Sequence, residues 1–478
     1  MNIIKKLITV LLFAMLLNAC DTERVLNVDP SISVSIDQAF TDPEVFESYV
    51  IGIYDELSDP AYLPRLIPWS DVRGGDAMVI PTNNFGRYPI EYNFRENPNS
   101  AYGSDDLWFQ GYDIIGLANP ALAAIADAPL SDANKALFEA ELLAFRAKAY
   151  HDLVRVFALP YSAGRDNPGV VLNTEVKNPN DPPLGRSTVG EVYDQMVIDL
   201  ERAESLMPES RTNVFLWTKK SIQGMLARVH LDMGNWADAS AAAQRAFSGV
   251  QLMSQAEYAA GFDEPNSEWL MAGGVTADDS NGFLSVHSFW DTRRLGYSSL
   301  RLDITFMDDN FTATDIRGYP LLRQAGGSPI VSTGYVSNKW EHNPNFNQDE
   351  MFMRASEMYL IAAEAEARDP QGDVGLAQDF LFEIQSRADV NAVRSGNTGQ
   401  ALIDEIILER RKELYAEGHA YFDLQRLQKD LVRTPAGGHY ADPLDIPFND
   451  FRRLSPIPQF ELDANEVIRD QQNPGYGS

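Results

Sequence analysis

A helical stripe that stops at a turn and starts again recurs along this 478-residue chain, and it limits the fold more than any other feature. Ile222, Met225, Leu226, Val229 and Met233 lie on one helix face that ends at Gly234-Asn235, after which Trp236, Ala239, Ala243 and Phe247 begin another. The pattern returns at Phe352, Ala355, Tyr359 and Ala362, breaks at Asp369-Pro370-Gln371-Gly372, and resumes at Ala377, Phe380, Leu381, Ile384 and Ala388. A narrow apolar stripe is hidden only by another helix, and small residues at the crossing points let two backbones approach. Antiparallel helix pairs follow from this pattern, and a mainly α fold with them.

Such pairs are the signature of tetratricopeptide-like units, whose concave surfaces bind partners. Leu142, Phe145, Ala149, Leu153 and Val156 add a further stripe, with Ala147 and Ala149 small enough for close packing. The spacing between units is irregular, which predicts degenerate pairs embedded in one larger domain rather than a regular solenoid. Asp42-Pro43-Glu44 opens an earlier helix, with Phe46, Tyr49, Val50 and Ile53 on its apolar face.

The N-terminal segment reads differently. Lys5 and Lys6 precede an apolar run over residues 7–17, too short for a permanent span, and Leu17-Asn18-Ala19-Cys20 follows as a lipobox. Residues 1–19 are expected to be a signal peptide that is removed, leaving Cys20 to carry lipid and residues 20–478 as a single domain tethered to a membrane. Cys20 is the only cysteine, so no disulfide competes for it. Later runs never approach spanning length. The 69 acidic residues against 39 basic ones give a charge of −30, which argues against nucleic acid as a partner and for a well-hydrated surface.

Two stretches lack helical periodicity. Residues 59–99 are rich in Pro, Gly, Asn and aromatics and read as one long ordered loop, and residues 252–349 read as a second loop-rich region. A sugar binder needs flat aromatic faces for the apolar faces of the rings, with Asn, Asp, Arg and Gln to replace water at the hydroxyls. The first stretch offers Trp69, Asp71, Arg73, Asn83, Asn84, Tyr88 and Tyr92; the second offers Trp290, Asp291, Arg293, Tyr297, Tyr335 and Trp340. Trp290, with Asp291, Arg293 and Tyr297 close by, is the first choice for a ligand platform, and Trp69, Tyr88 and Tyr92 are the second, as the opposite wall of one cleft. Trp108 and Trp236 fall within helical periodicity and are assigned to the core.

Catalytic signatures are missing from the sequence: there is no Gly-x-Ser-x-Gly elbow, phosphate loop or dinucleotide fingerprint, and the six histidines include no pair at metal-ligand spacing. No catalytic residue, metal or cofactor is assigned. Neighbouring carboxylates such as Asp105-Asp106, Asp278-Asp279 and Asp308-Asp309 diverge rather than face each other.

The C-terminal third carries Glu409-Arg410-Arg411-Lys412-Glu413-Leu414, then Glu417-Gly418-His419-Ala420-Tyr421-Phe422-Asp423-Leu424-Gln425-Arg426, and near the end Pro456-Ile457-Pro458-Gln459 and Gln472-Asn473-Pro474-Gly475-Tyr476. With the Arg354 to Ala365 segment and the Arg146 to Arg155 segment, these closely resemble the SusD/RagB family of surface lipoproteins from Bacteroidetes. The resemblance implies a mostly α-helical fold in which tetratricopeptide-like pairs support a variable loop-rich ligand-binding face. It also implies a non-catalytic protein that caps a SusC-like TonB-dependent outer-membrane transporter and delivers oligosaccharides or, in some members, peptides. Asp21 and Glu23 resemble the acidic surface-export signal of such lipoproteins. Arg410, Arg411, Glu413, Glu417, Asp423 and Arg426 are expected to pair across a helix, the Gly418 break and the next helix. A peptide-binding or scaffolding surface protein is the alternative, and a glycan hydrolase a third.

Overall fold

The computed structural model describes residues 40–477 apart from 101–102, 179, 292–295, 319–321, 325–333, 338 and 341–346. The signal segment, Cys20 and Arg293 lie outside the described residues.

Along the chain run α1 (Pro43–Ser58), α2 (Leu63–Gly74), β1 (Ala77–Val79), α3 (Pro89–Tyr92), α4 (Ser104–Ala124), α5 (Asp132–Phe157), α6 (Val189–Leu206), α7 (Lys219–Met233), α8 (Trp236–Phe247) and α9 (Gln255–Ala260). There follow β2 (Trp269–Gly273), α10 (Val286–Trp290), β3 (Leu300–Leu302), α11 (Ile304–Asn310), β4 (Leu322–Gln324), β5 (Tyr335–Ser337), β6 (Glu350–Arg354), α12 (Ala355–Arg368), α13 (Val374–Ala388), α14 (Gly399–Leu414), α15 (Ala420–Arg426) and α16 (Gln459–Ala464). The fold is mainly α. Helix α5 lies between α4 and α6, α7 pairs with α8, and α12 packs on α8, α13 and α14.

The expected pairs form for the expected reasons. Gly234 takes φ 74° and ends α7, donating its N–H back to the last turn, and α8 starts two residues later. Asp373 caps α13 by accepting from the N–H groups of Gly375 and Leu376. Ala239, Ala243, Ala362 and Ala377 are fully buried at the helix contacts. A Cβ on Gly111 of α4 would stand 2.8 Å from Leu153, so glycine is what lets α4 lie against α5.

Residues 59–99 are not one loop. Helix α2 lies in the first half of that stretch with Pro68 inside it, and it is buried on every side, with Arg65, Asp71 and Arg73 covered along with its apolar residues. Residues 252–349 likewise contain short strands and helices. Strands β1, β3, β5 and β4 form one sheet in that order, and β2 pairs antiparallel with β6.

A buried ionic network ties the helices to these strands. Arg354 at the end of β6 reaches Glu268 at 2.8 Å, Glu413 at 2.6 Å and Glu417 at 2.8 Å, and Arg317 reaches Glu409 at 2.6 Å and Glu413 at 3.0 Å. Lys339 holds Glu417 at 2.6 Å. Of the expected pairings, Arg410–Asp423 closes across the Gly418 break at 3.0 Å, and Arg426–Asp423 closes within α15 at 2.7 Å. Glu413 in α14 and Glu417 just after it are instead buried against Arg317, Lys339, Arg354 and Arg387 of other segments. Buried charges of this kind hold a fold to one arrangement, because each left alone is strongly destabilising.

Candidate ligand-binding face

The β1–β3 pairing determines where the two aperiodic stretches meet. Val79 at the end of β1 lies opposite Leu300 at the start of β3, so the chain leaving β1 and the chain entering β3 emerge at the same edge. The Ile80 N–H donates to Ser299 and extends this contact. Beyond it, the Asn84 side chain donates to the Ile80 carbonyl at 3.0 Å and accepts from Gly86 N–H at 2.9 Å, which curls residues 81–88 into a tight loop. On the other side Tyr297 N–H donates to Ser288 Oγ at 2.9 Å, Gly296 N–H to Asp291 at 2.9 Å, and Ser298 Oγ to the Asp291 carbonyl at 2.6 Å.

Between these loops lies an aromatic platform. Tyr297 is partly buried, and its ring centre is 5.3 Å from Phe85, 5.5 Å from Phe283 and 5.7 Å from Phe289. The Arg87 guanidinium sits 4.6 Å over the Tyr297 ring and donates to its hydroxyl at 2.7 Å. Phe85 is 66% exposed and Phe283 50% exposed. Phe85 also has φ 56°, a left-handed conformation that costs a bulky residue about 1–3 kcal/mol and is retained mainly where function uses it.

The other sequence candidates are placed beneath this surface rather than on it. Trp290 has no exposed area, and its indole Nε1 is buried without a hydrogen-bond partner. Asp291 is fully buried, and it accepts from Gly296 N–H and Ser298 Oγ. Tyr88 packs edge-on against Phe289 at 5.0 Å, which brings the two stretches together but leaves the ring 7% exposed. Trp69 is wedged between Arg73 and Tyr421 and donates to Glu96 at 2.9 Å. The Tyr92 hydroxyl meets His439 Nδ1 at 2.8 Å in the core. A ring with no exposed face offers none to a sugar, so Trp290, Asp291, Trp69, Tyr88 and Tyr92 are corrected to supporting positions in this structure. Asp71, Arg73 and Trp340 are buried as well, with Trp340 donating to the Ala416 carbonyl.

Sequence reasoning missed Phe85, Arg87 and Phe283. A signal existed: Asn83-Asn84-Phe85-Gly86 and Asn281-Gly282-Phe283 each set a phenylalanine among turn formers, outside any long apolar stripe.

Beside the platform is a cleft of about 690 Å³ bounded by the end of α1, Phe215, the end of β2 with the residues after it, Asn281 and Phe352. The Asn281 side chain donates to the Ser58 carbonyl at 2.6 Å, and Asp349 accepts from Val275 N–H at 2.9 Å. Burial, then the charges of Asp279 and Asp59, push the Asp55 carboxyl up from its ordinary range. Burial and Asp113 do the same to Glu56, and burial to Asp349. Among the described residues no cluster of three or more His, Cys, Asp or Glu is arranged to hold a metal, and no helix is long and apolar enough to cross a membrane.

Comparison with known proteins agrees with this architecture. Residues 329–476 match the sequence model of the SusD family, and residues 27–231 match a SusD-like family described as starch-binding associating with outer membrane. The SusD-like protein P38 of Formosa agariphila is 24% identical over 93% of this chain and 95% of its own. A SusD superfamily protein from Bacteroides thetaiotaomicron superimposes with a TM-score of 0.82 at 25% identity, over 92% of this chain and all of that one. A laminarin-binding SusD-like protein, 20% identical, shares the fold with a TM-score of 0.74 over 91% of this chain and 100% of its own.

Proposed function

Since the chain is a member of the SusD family, we propose that it is a cell-surface glycan-binding lipoprotein that captures oligosaccharides for a SusC-like TonB-dependent transporter and does not cleave them. The observation that carries this reading is the pair of exposed rings Phe85 and Phe283 packed around Tyr297, whose ring the Arg87 guanidinium overlies. Flat rings cover the apolar faces of sugars, and the exposed Thr82 and Asn83 lie in the same loop with polar groups for hydroxyls. The laminarin-binding neighbour and the family description support a glycan as ligand and the outer membrane as location. Residues 20–478 act as one domain in this reading, with lipid on Cys20 keeping the binder beside its channel at high effective concentration.

Affinity electrophoresis through gels containing different polysaccharides tests the reading. Retardation by at least one glycan, lost in Phe283→Ala and without new reducing ends, is the expected result. No retardation by any glycan refutes the ligand class, and new reducing ends refute binding without cleavage. Purification in mild detergent that repeatedly yields no SusC-like channel refutes the partnership.

A further inference from the structure

The cleft next to the platform differs from it in chemistry. Its lining includes Asp55, Glu56, Asp59, Asp279 and Asp349 and, among the described residues, no Lys, Arg or His. Asp55 and Asp279 are exposed, so their charges face whatever enters. Between the carboxylates lie the partly buried rings of Tyr54, Phe215 and Phe352 and the side chain of Ile51, which is 55% exposed. Apolar faces and acceptors thus alternate in a volume within the roughly 300–1,000 Å³ typical of small-molecule sites. Asn281 belongs to the cleft wall and Phe283, two residues on, to the platform. The bond from Asn281 to Ser58 holds that junction in place.

We propose that this cleft continues the platform's binding surface and makes it selective for uncharged or amine-bearing glycans over uronic-acid and sulfated ones. The inference rests on the glycan-binding reading. Carboxylates accept strongly from sugar hydroxyls and from ammonium groups, whereas an anionic substituent meets several like charges at once with no cation in the lining to offset them. Selectivity here comes from repulsion of the wrong ligand, and the net charge of −30 adds to it at long range.

The test compares the whole protein with its Asp55→Asn/Asp279→Asn variant by affinity electrophoresis and calorimetric titration, at low and high salt. The probes are a neutral β-glucan, chitosan, a polyuronate and a sulfated galactan, with further neutral polysaccharides if the first is not bound. The expected result is binding to a neutral or amine-bearing chain with the anionic chains at least about tenfold weaker at low salt. Both high salt and the double substitution narrow that gap. Binding of an anionic chain as tight as that of any neutral or amine-bearing one overturns the inference and leaves the glycan-binding reading standing. A gap that neither salt nor the double substitution changes overturns it equally. Should the double variant not fold, the exposed Asp279→Asn change alone, compared with the natural protein at the same salt, decides: an unchanged gap overturns the inference. Failure to bind any polysaccharide removes the underlying reading, and this inference with it.

Discussion

Trp290 and Tyr297 are seven residues apart in one segment, and the structure assigns them opposite phenotypes. Trp290 is fully buried, and removing a tryptophan from a core costs about 3–5 kcal/mol. Unfolding entropy of about 2.1 cal/mol/K per residue amounts to about 1 kcal/mol/K for a chain of this length, so Trp290→Ala should lower Tm by about 3–5 °C. Its affinity for a glycan should stay within about threefold of the natural protein, because the ring never reaches the surface. Tyr297→Ala takes a partly buried ring out of contact with Phe85, Phe283 and Arg87 and should cost affinity about 1–3 kcal/mol, or about 5- to 150-fold, with a Tm loss of about 1–2 °C. Calorimetric titration with a glycan found in the gel screen, paired with thermal melting of both variants, gives both readouts. An unchanged Tm together with lost affinity in Trp290→Ala would show that the ring reaches ligand after all, and the argument from burial would be refuted.

Other consequences follow from the buried charges and the leader. Glu413 is fully buried among Arg317, Arg354 and Arg387, so Glu413→Gln should destabilise the fold by about 3–5 kcal/mol; a Tm within a degree of the natural protein, read by thermal melting, would contradict the network's role. Acid should weaken the protein in two windows. Burial, with Arg155 adding to it, pulls His151 down to about 4, so stability present above the ordinary histidine value of 6.5 is lost as pH falls from 6.5 towards 4. Burial opposes the charge of Glu357 and Asp152, yet Arg228 and His419 in one case and Lys148 and Arg155 in the other outweigh it and hold both at about 2. Their contribution is complete above their unfolded values and disappears between about pH 4.5 and 2, which melting curves taken down a pH series would reveal as a second fall. Cys20→Ala removes the only thiol available to lipid and should release the protein from membranes, as fractionation would show.

The α7–α8 and α12–α13 pairs were legible in the chain alone, because a half-buried helix must repeat its apolar residues every third or fourth position and a breaker must end it: left-handed Gly234 for α7, and extended Asp369 followed by Pro370 for α12. The motifs around Glu413 and Asp423 likewise pointed to one family and to buried pairing. Helix α2 was hidden because it carries Pro64 and Pro68 and because the burial of its charged Arg65, Asp71 and Arg73 depends on segments far away in the chain. The same physics hid the platform. Trp69, Trp290, Phe85 and Phe283 are all aromatic residues in aperiodic sequence, and composition does not distinguish a ring that other segments cover from one they leave bare. That difference arises only when β1 pairs with β3 and sets two distant loops side by side, while the Arg73–Glu96 pair and Tyr421 enclose Trp69. The sequence by itself determined the helical scaffold through local periodicity; the tertiary structure decided which aromatic faces meet solvent, because exposure depends on residues far away in the chain.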